Sequence, residues 1–212
     1  MRYACGAGLC NRLRTALSYF AYAQSLGEEL LFTWPVNSAC SDRFENHFED
    51  IPGLVFTERI DGEVAGPNAK WGEFPHPDFE PDFELLTPKY NTSMLDEPHD
   101  AIHIRSSEHW VENRENPTKF LAFAKLSTKP GWLATDLKTT QQFFKDIPNI
   151  KHWGDIRECK RIKGPHRHTS LKHSVVDLFM CVNAREFLGT EYSSFSETIN
   201  TLRHSPGKLV NG

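Results

Sequence analysis

The 212-residue sequence predicts an α/β protein with mostly parallel sheets, doubly wound in its second half. Two observations carry this reading. Short apolar runs alternate with stretches of helical periodicity, and the first run passes through a glycine loop straight into a helix. Charge adds a third observation. Residues 1–100 carry a balance of −10 and residues 101–212 one of +6, within a total of −4. This asymmetry fits two units of which the basic one suits an anionic ligand, or two halves that neutralise each other across an interface.

Arg2 to Cys5 reads as a short strand running into Gly6-Ala7-Gly8. From Asn11 to Leu26 the pattern is helical, with Leu13, Leu17, Phe20, Tyr22, Ala23 and Leu26 at three- and four-residue spacing, and Gly27 placed to end the helix. Glu29 to Trp34 is a second strand, so the three elements form a βαβ unit with parallel strands. From Pro35 to about Pro98 the periodic signal fades, and Gly72 to Pro88 reads as an irregular connection. It holds four prolines and several acids around Phe74, Phe79 and Phe83, read as aromatic anchors. A boundary near residues 90–98 divides the chain into domains 1–95 and 96–212.

Alternation resumes with a strand from Asp100 to Arg105 and a helix over Pro117 to Leu126. A strand at Trp132 to Thr135 precedes a helix at Lys138 to Lys145, and Ile150 to Trp153 is another strand. Ser174 opens a helix to Val182, Glu186 to Leu188 forms a strand, and Ser194 begins a last helix toward Arg203. In a doubly wound sheet ligands bind beyond the carboxyl ends of the strands, where Arg105, Asp136 and the loop after Gly189 fall.

With 39% hydrophobic residues the chain has material for a packed core, and no stretch nears the roughly 18–20 apolar residues a membrane span needs. No leader pattern is visible, and the five cysteines form no CxxC pair, so a reduced, cytoplasmic setting is expected with the thiols as packing residues. Overall acidity and the lack of interleaved basic and aromatic residues argue against a nucleic-acid partner.

Four segments can carry chemistry. Gly6-Ala7-Gly8-Leu9-Cys10-Asn11-Arg12 either lets backbone N–H groups approach a phosphate or sugar, or is a tight turn that needs glycine. It is not the dinucleotide fingerprint, because Asn11 stands where the third glycine belongs, and it lacks the Lys-Ser/Thr of a P-loop. In His103-Ile104-Arg105-Ser106-Ser107-Glu108-His109-Trp110, Arg105 can offer a fork of donors to a diphosphate or form a structural ion pair. Glu108 is either a base for an attacking hydroxyl or a solvated loop acid. Asp136, after Thr135, either binds ribose or base N–H groups or caps the next helix. The segment Phe187 to Ile199 places Ser193, Ser194, Phe195 and Ser196 at a helix start. Their hydroxyl and N–H donors suit phosphate, while Ser194 with Glu197 equally fits a capping box without a ligand.

His166, His168 and His173 lie in a sequence rich in Lys and Arg, which reads as a solvated loop or as a cationic loop near a diphosphate. No neighbouring cysteine or carboxylate completes a zinc site there. No DxD triplet appears, since Asp78 and Asp82 are too far apart.

Taken in order, GxGLxNRLR at 6–14, HIR at 103–105, a strand ending in TD at 135–136, DLF at 177–179 and FLGTxxSSFSxTI at 187–199 resemble the fucosyltransferase superfamily. That group includes nodulation fucosyltransferases, core α1,6-fucosyltransferases and protein O-fucosyltransferases. The resemblance implies a GT-B-like arrangement of two Rossmann-like units, the N-terminal one reduced and on the acceptor side. It implies inverting transfer of L-fucose from GDP-fucose to a hydroxyl of a glycan or protein, without metal or cofactor. Arg105 would contact the diphosphate as the key catalytic residue, with His103 beside it in the same motif. Ser193, Ser194, Phe195 and Ser196 would line the nucleotide, and Asp136 would lie near the guanosine. Gly6, Gly8 and Asn11 would face the sugar or diphosphate. The chain departs from the O-fucosyltransferase pattern at His109, which precedes Trp110 where an acid is usual, with Glu108 one place earlier. The rival reading is a non-catalytic nucleotide-sugar or glycan-binding module on the same scaffold.

Overall fold

A computed structural model of the chain describes residues 1–58, 69–71, 74–105, 117–153, 169–203 and 208–210. The chain divides into two compact units, Met1–Tyr90 and Asn91–Gly212.

In the first unit β1 (Arg2–Ala4) leads through the glycine loop into α1 (Leu9–Ser25), followed by β2 (Leu30–Thr33), β3 (Leu54–Thr57) and β4 (Ala69–Trp71). The sheet order is β3-β2-β1-β4, and every pairing is parallel. Helix α1 starts two residues before the expected Asn11 and buries Leu9, Leu13, Leu17 and Phe20. It ends where Gly27 turns left-handed with φ 69°, its N–H and that of Glu28 returning to Gln24 and Ala23 carbonyls.

Residues 35–98, where the sequence signal fades, contribute two strands. They escaped sequence reading because a short strand of a parallel sheet has no polar–apolar alternation to betray it. The long connection from β2 to β3 holds its shape through aromatic packing. Phe44 stacks on Phe56 with centroids 3.9 Å apart and meets the edge of Trp34 at 5.6 Å. Of the expected anchors, Phe83 is buried and Phe79 packs against Tyr22 and His76. Phe74 is 77% exposed and anchors nothing.

The second unit runs β5 (Asp100–Ile104), α2 (Pro117–Leu126), β6 (Gly131–Thr135), α3 (Lys138–Phe144), β7 (Ile150–Lys151), α4 (Leu171–Val182), β8 (Phe187–Thr190), α5 (Ser194–Leu202) and β9 (Lys208–Val210). The order β7-β6-β5-β8-β9 is again wholly parallel. Strand β9 was not foreseen, and β7 is two residues shorter than expected. Ile102, Ile104, Phe120, Leu133, Phe144 and Leu188 form the core cluster. Every residue of β5 and β6 is buried, as expected of a parallel sheet covered on both faces. Helix α4 begins at Leu171 rather than Ser174, because Ser170 is its N-cap and accepts from the His173 N–H at 3.1 Å. Cys5, Cys10, Cys40 and Cys181 are buried, and none of them forms a disulfide among the described residues. No helix among the described residues is long and apolar enough to cross a membrane.

Polar clasps fix the amino ends of the central strands. Arg185 grips Asp100 bidentately at 3.1 and 3.0 Å. Arg203, just past α5, donates to the carbonyls of Cys181, Ala184 and Arg185, closing the carboxyl end of α4. Between α4 and β6, Asp177 accepts the Trp132 indole N–H at 3.0 Å and lies 3.4 Å from the His173 imidazole. Burial pushes the Asp177 carboxyl well up, while burial, and then the neighbouring His152, hold His173 down to about 4.

These shifts predict a stability profile. The depressed His173 loses stabilisation as pH falls from about 6.5 toward 4, where the unfolded chain takes the proton first. The raised Asp177 loses it as pH rises above the unfolded carboxylate value. The two act in opposite directions wherever both titrate, and the Asp177 loss continues as pH rises until its folded-state carboxyl ionises. Urea midpoints against pH should show this decline with rising pH in the wild type and lose it in Asp177→Asn.

Candidate functional site

In each sheet the order in which strands are added reverses between two neighbouring parallel strands, and the motifs sit at the carboxyl ends there. In the first sheet this switch lies between β1 and β4, beside the glycine loop; in the second it lies between β5 and β8.

The glycine loop is organised by a residue whose role the motif did not reveal. Arg12 is fully buried and lies 5.1 Å from the centre of the Trp34 ring. Its guanidinium donates to the carbonyls of Ala7, Gly6 (3.1 Å) and Pro35 (2.7 Å), and to Asn37 Oδ1 (3.0 Å). Asn37 Nδ2 adds a second donor to the Gly6 carbonyl at 2.9 Å. The loop's carbonyls are thus tied inward. Gly8 is the N-cap of α1 with no side-chain cap, and the first turn holds no acid. Asn11 lies inside the helix, where its Oδ1 accepts from Arg14 at 2.9 Å.

In the second unit β5 and β8 pair with His103 opposite Gly189. The His103 Nδ1 is 2.7 Å from Ser196 Oγ, and its ring stacks on Phe195 with centroids 4.7 Å apart. Burial, reinforced by the Arg105 charge, pushes His103 down to about 3, so the imidazole is neutral at physiological pH. Thr190 completes the link. Its hydroxyl donates to the His103 carbonyl at 3.1 Å and accepts the Arg105 N–H at 3.0 Å. The HIR strand end and the serine-rich turn therefore meet. Arg105, one residue beyond β5, is half-buried.

Helix α5 begins as an anion site would. Ser193 is its N-cap but makes no side-chain cap bond, and its Oγ is buried without a partner among the described residues. The expected capping box of Ser194 with Glu197 does not form. The cap lies one residue earlier, and the first helical bond runs from the Glu197 N–H to the Ser193 carbonyl at 2.9 Å. This leaves the N–H groups of Ser194, Phe195 and Ser196 without intrahelical acceptors. Such donors at a helix start favour negative charge.

Asp136 does not cap α3, whose N-cap is Leu137 with no side-chain bond. It sits half-buried just past β6, next to β5 on the side away from β8. His173 belongs to α4 rather than to a basic loop, and among the described residues no group of three His, Cys, Asp or Glu is placed to hold a metal. Glu108, with Ser106, Ser107, His109 and Trp110, lies outside the described residues, as do His166, His168 and the neighbouring basic residues 157–167.

Two parallel α/β units, each with motifs at the switch point of its own sheet, define the fold class. Solved structures similar to the chain include fucosyltransferases. The chain aligns over 95% of its length with a NodZ α1,6-fucosyltransferase soaked with GDP-fucose, covering 92% of that chain at 13% identity and a TM-score of 0.61. It also aligns with the fucosyltransferase NodZ from Bradyrhizobium, at 14% identity and a TM-score of 0.62, covering 93% of that chain. The chain has the fold of these enzymes. No family model matches it, and no curated protein matches it by sequence.

The close approach of α5 to β5 depends on Gly189. A Cβ there would lie 2.7 Å from both Ser196 Oγ and the Phe187 ring. Gly189→Ala should destabilise the protein by about 1–3 kcal/mol through overpacking. Ser196→Ala, which removes one hydrogen bond without adding volume, should cost only about 1 kcal/mol. Chemical denaturation of the two variants checks the order.

Proposed function

We propose that the protein is a glycosyltransferase that moves a sugar from a nucleoside diphosphate to a hydroxyl of a glycan or protein. The donor proposed is GDP-fucose. The observation that carries this is the meeting of His103 with Ser196 and Phe195, which sets an uncapped helix start beside a strand-end arginine. The shared fold with fucosyltransferases crystallised with GDP-fucose and GDP supports the donor class.

In this reading the acceptor hydroxyl displaces the diphosphate at the anomeric carbon in one step, with inversion and without metal or cofactor. Negative charge builds on the departing phosphates. The Arg105 guanidinium and the amides of Ser194 to Ser196 meet it where it develops, without rearrangement. Ser193 Oγ supplies a further hydroxyl, Asp136 accepts from the guanine edge, and Glu108 takes the proton of the acceptor. The competing reading, a binding module without transfer, draws on the shortness of the first unit and differs in its test: it binds GDP but neither transfers nor hydrolyses the donor.

GDP at one hundred times its Kd should stabilise the protein by about 2.7 kcal/mol, more than UDP does at the same concentration. Selective stabilisation by UDP would redirect the donor. Arg105→Ala should abolish transfer while leaving the melting temperature nearly unchanged, since its side chain is half-buried at a strand end. Near-full turnover in that variant would overturn its role.

A further inference from the structure

Tyr192 stands between Thr190, which bonds to both His103 and Arg105, and Ser193, the N-cap of α5. It is 82% exposed and its backbone is left-handed, with φ 57°. The other non-glycine residue with positive φ among those described is Asn149, a type that tolerates this region through its short polar side chain. Tyrosine has no such local compensation. Its ring makes no contact with any described aromatic residue, and its hydroxyl makes no hydrogen bond among the described residues. A large aromatic side chain is thus held in solvent by a conformation that costs energy, at the mouth of the β5–β8 switch.

Backbone strain of this kind persists where the surroundings impose it, and it collects at ligand sites. Thr190, Ser193 and Phe195 are turned inward, onto β5, into the protein and onto His103 respectively. Tyr192 instead presents its ring to solvent. We infer that Tyr192 is the stacking residue for the nucleobase of the donor, its ring closing on the base while the phosphates lie at the start of α5. The chemistry asked of it is general, because every base presents a flat π-face to an aromatic ring. This inference rests on the nucleotide-sugar reading and adds to it the residue that holds the nucleoside rather than the diphosphate.

The test compares GDP with inorganic pyrophosphate, measured by calorimetry on the wild type and on Tyr192→Phe, Tyr192→Ala and Tyr192→Gly. Tyr192→Phe keeps the ring and should bind GDP as the wild type does. Tyr192→Ala and Tyr192→Gly should each weaken GDP about tenfold, in the range that loss of one base–aromatic stack produces. Pyrophosphate affinity should stay the same in all four. Tyr192→Gly relieves the left-handed strain, so its melting temperature should not fall, which separates loss of the ring from loss of the loop. Unchanged GDP affinity in Tyr192→Ala, or an equal loss for GDP and pyrophosphate, would overturn this inference while leaving the donor site standing. A wild type that binds no GDP would remove both.

Discussion

The second unit depends on how closely α5 approaches the carboxyl end of β5. Parallel pairing sets His103 opposite Gly189, and the missing Cβ at Gly189 lets Ser196 reach the imidazole at 2.7 Å. Through that contact a helix start, which carries partial positive charge and unsatisfied donors, is brought beside the arginine that follows β5. Shift the register of β8 by one residue and the serine-rich turn would face the other side of the sheet. The polar clasps at the amino ends guard against such a shift. Asp100 is held by Arg185, and Arg203 fixes the chain between α4 and β8.

The two units solve a similar problem in different ways. Beyond β1, a buried arginine gathers the carbonyls of the glycine loop and leaves the start of α1 uncapped. Beyond β8, hydroxyl side chains stitch the loop to the neighbouring strand, and α5 is likewise left without a side-chain cap. Helix α4, which faces no switch point, is capped conventionally by Ser170. A side-chain cap is absent at both helices that begin at a switch point, as it also is at α3, whose N-cap is Leu137.

Much of this was legible in the sequence where a motif and a strand end coincide. The alternation of apolar runs with helical periodicity gave the βαβ start and the order of the second unit, because α1 and α4 carry clear apolar faces. What escaped was written in weaker signals. Strands β3, β4 and β9 are three or four residues long and carry no alternation. The helix opens at Ser194 as expected, but the capping box of Ser194 with Glu197 does not form, since the N-cap is Ser193 and Ser196 is engaged by His103. Arg12 looked like one more member of a polar motif. That it is wholly buried, spending its donors on four acceptors, follows only from the way β1, α1 and the loop after β2 converge.

Helix α5 is moored at both extremities. Near its start Ser196 is bound to His103, and just beyond its end Arg203 is bound to four carbonyls of another segment. A rod fastened in this way neither slides along its axis nor swivels readily about it. Any local movement at this end of the sheet is therefore left to the few residues between Thr190 and Ser193, while the helix beneath them stays put.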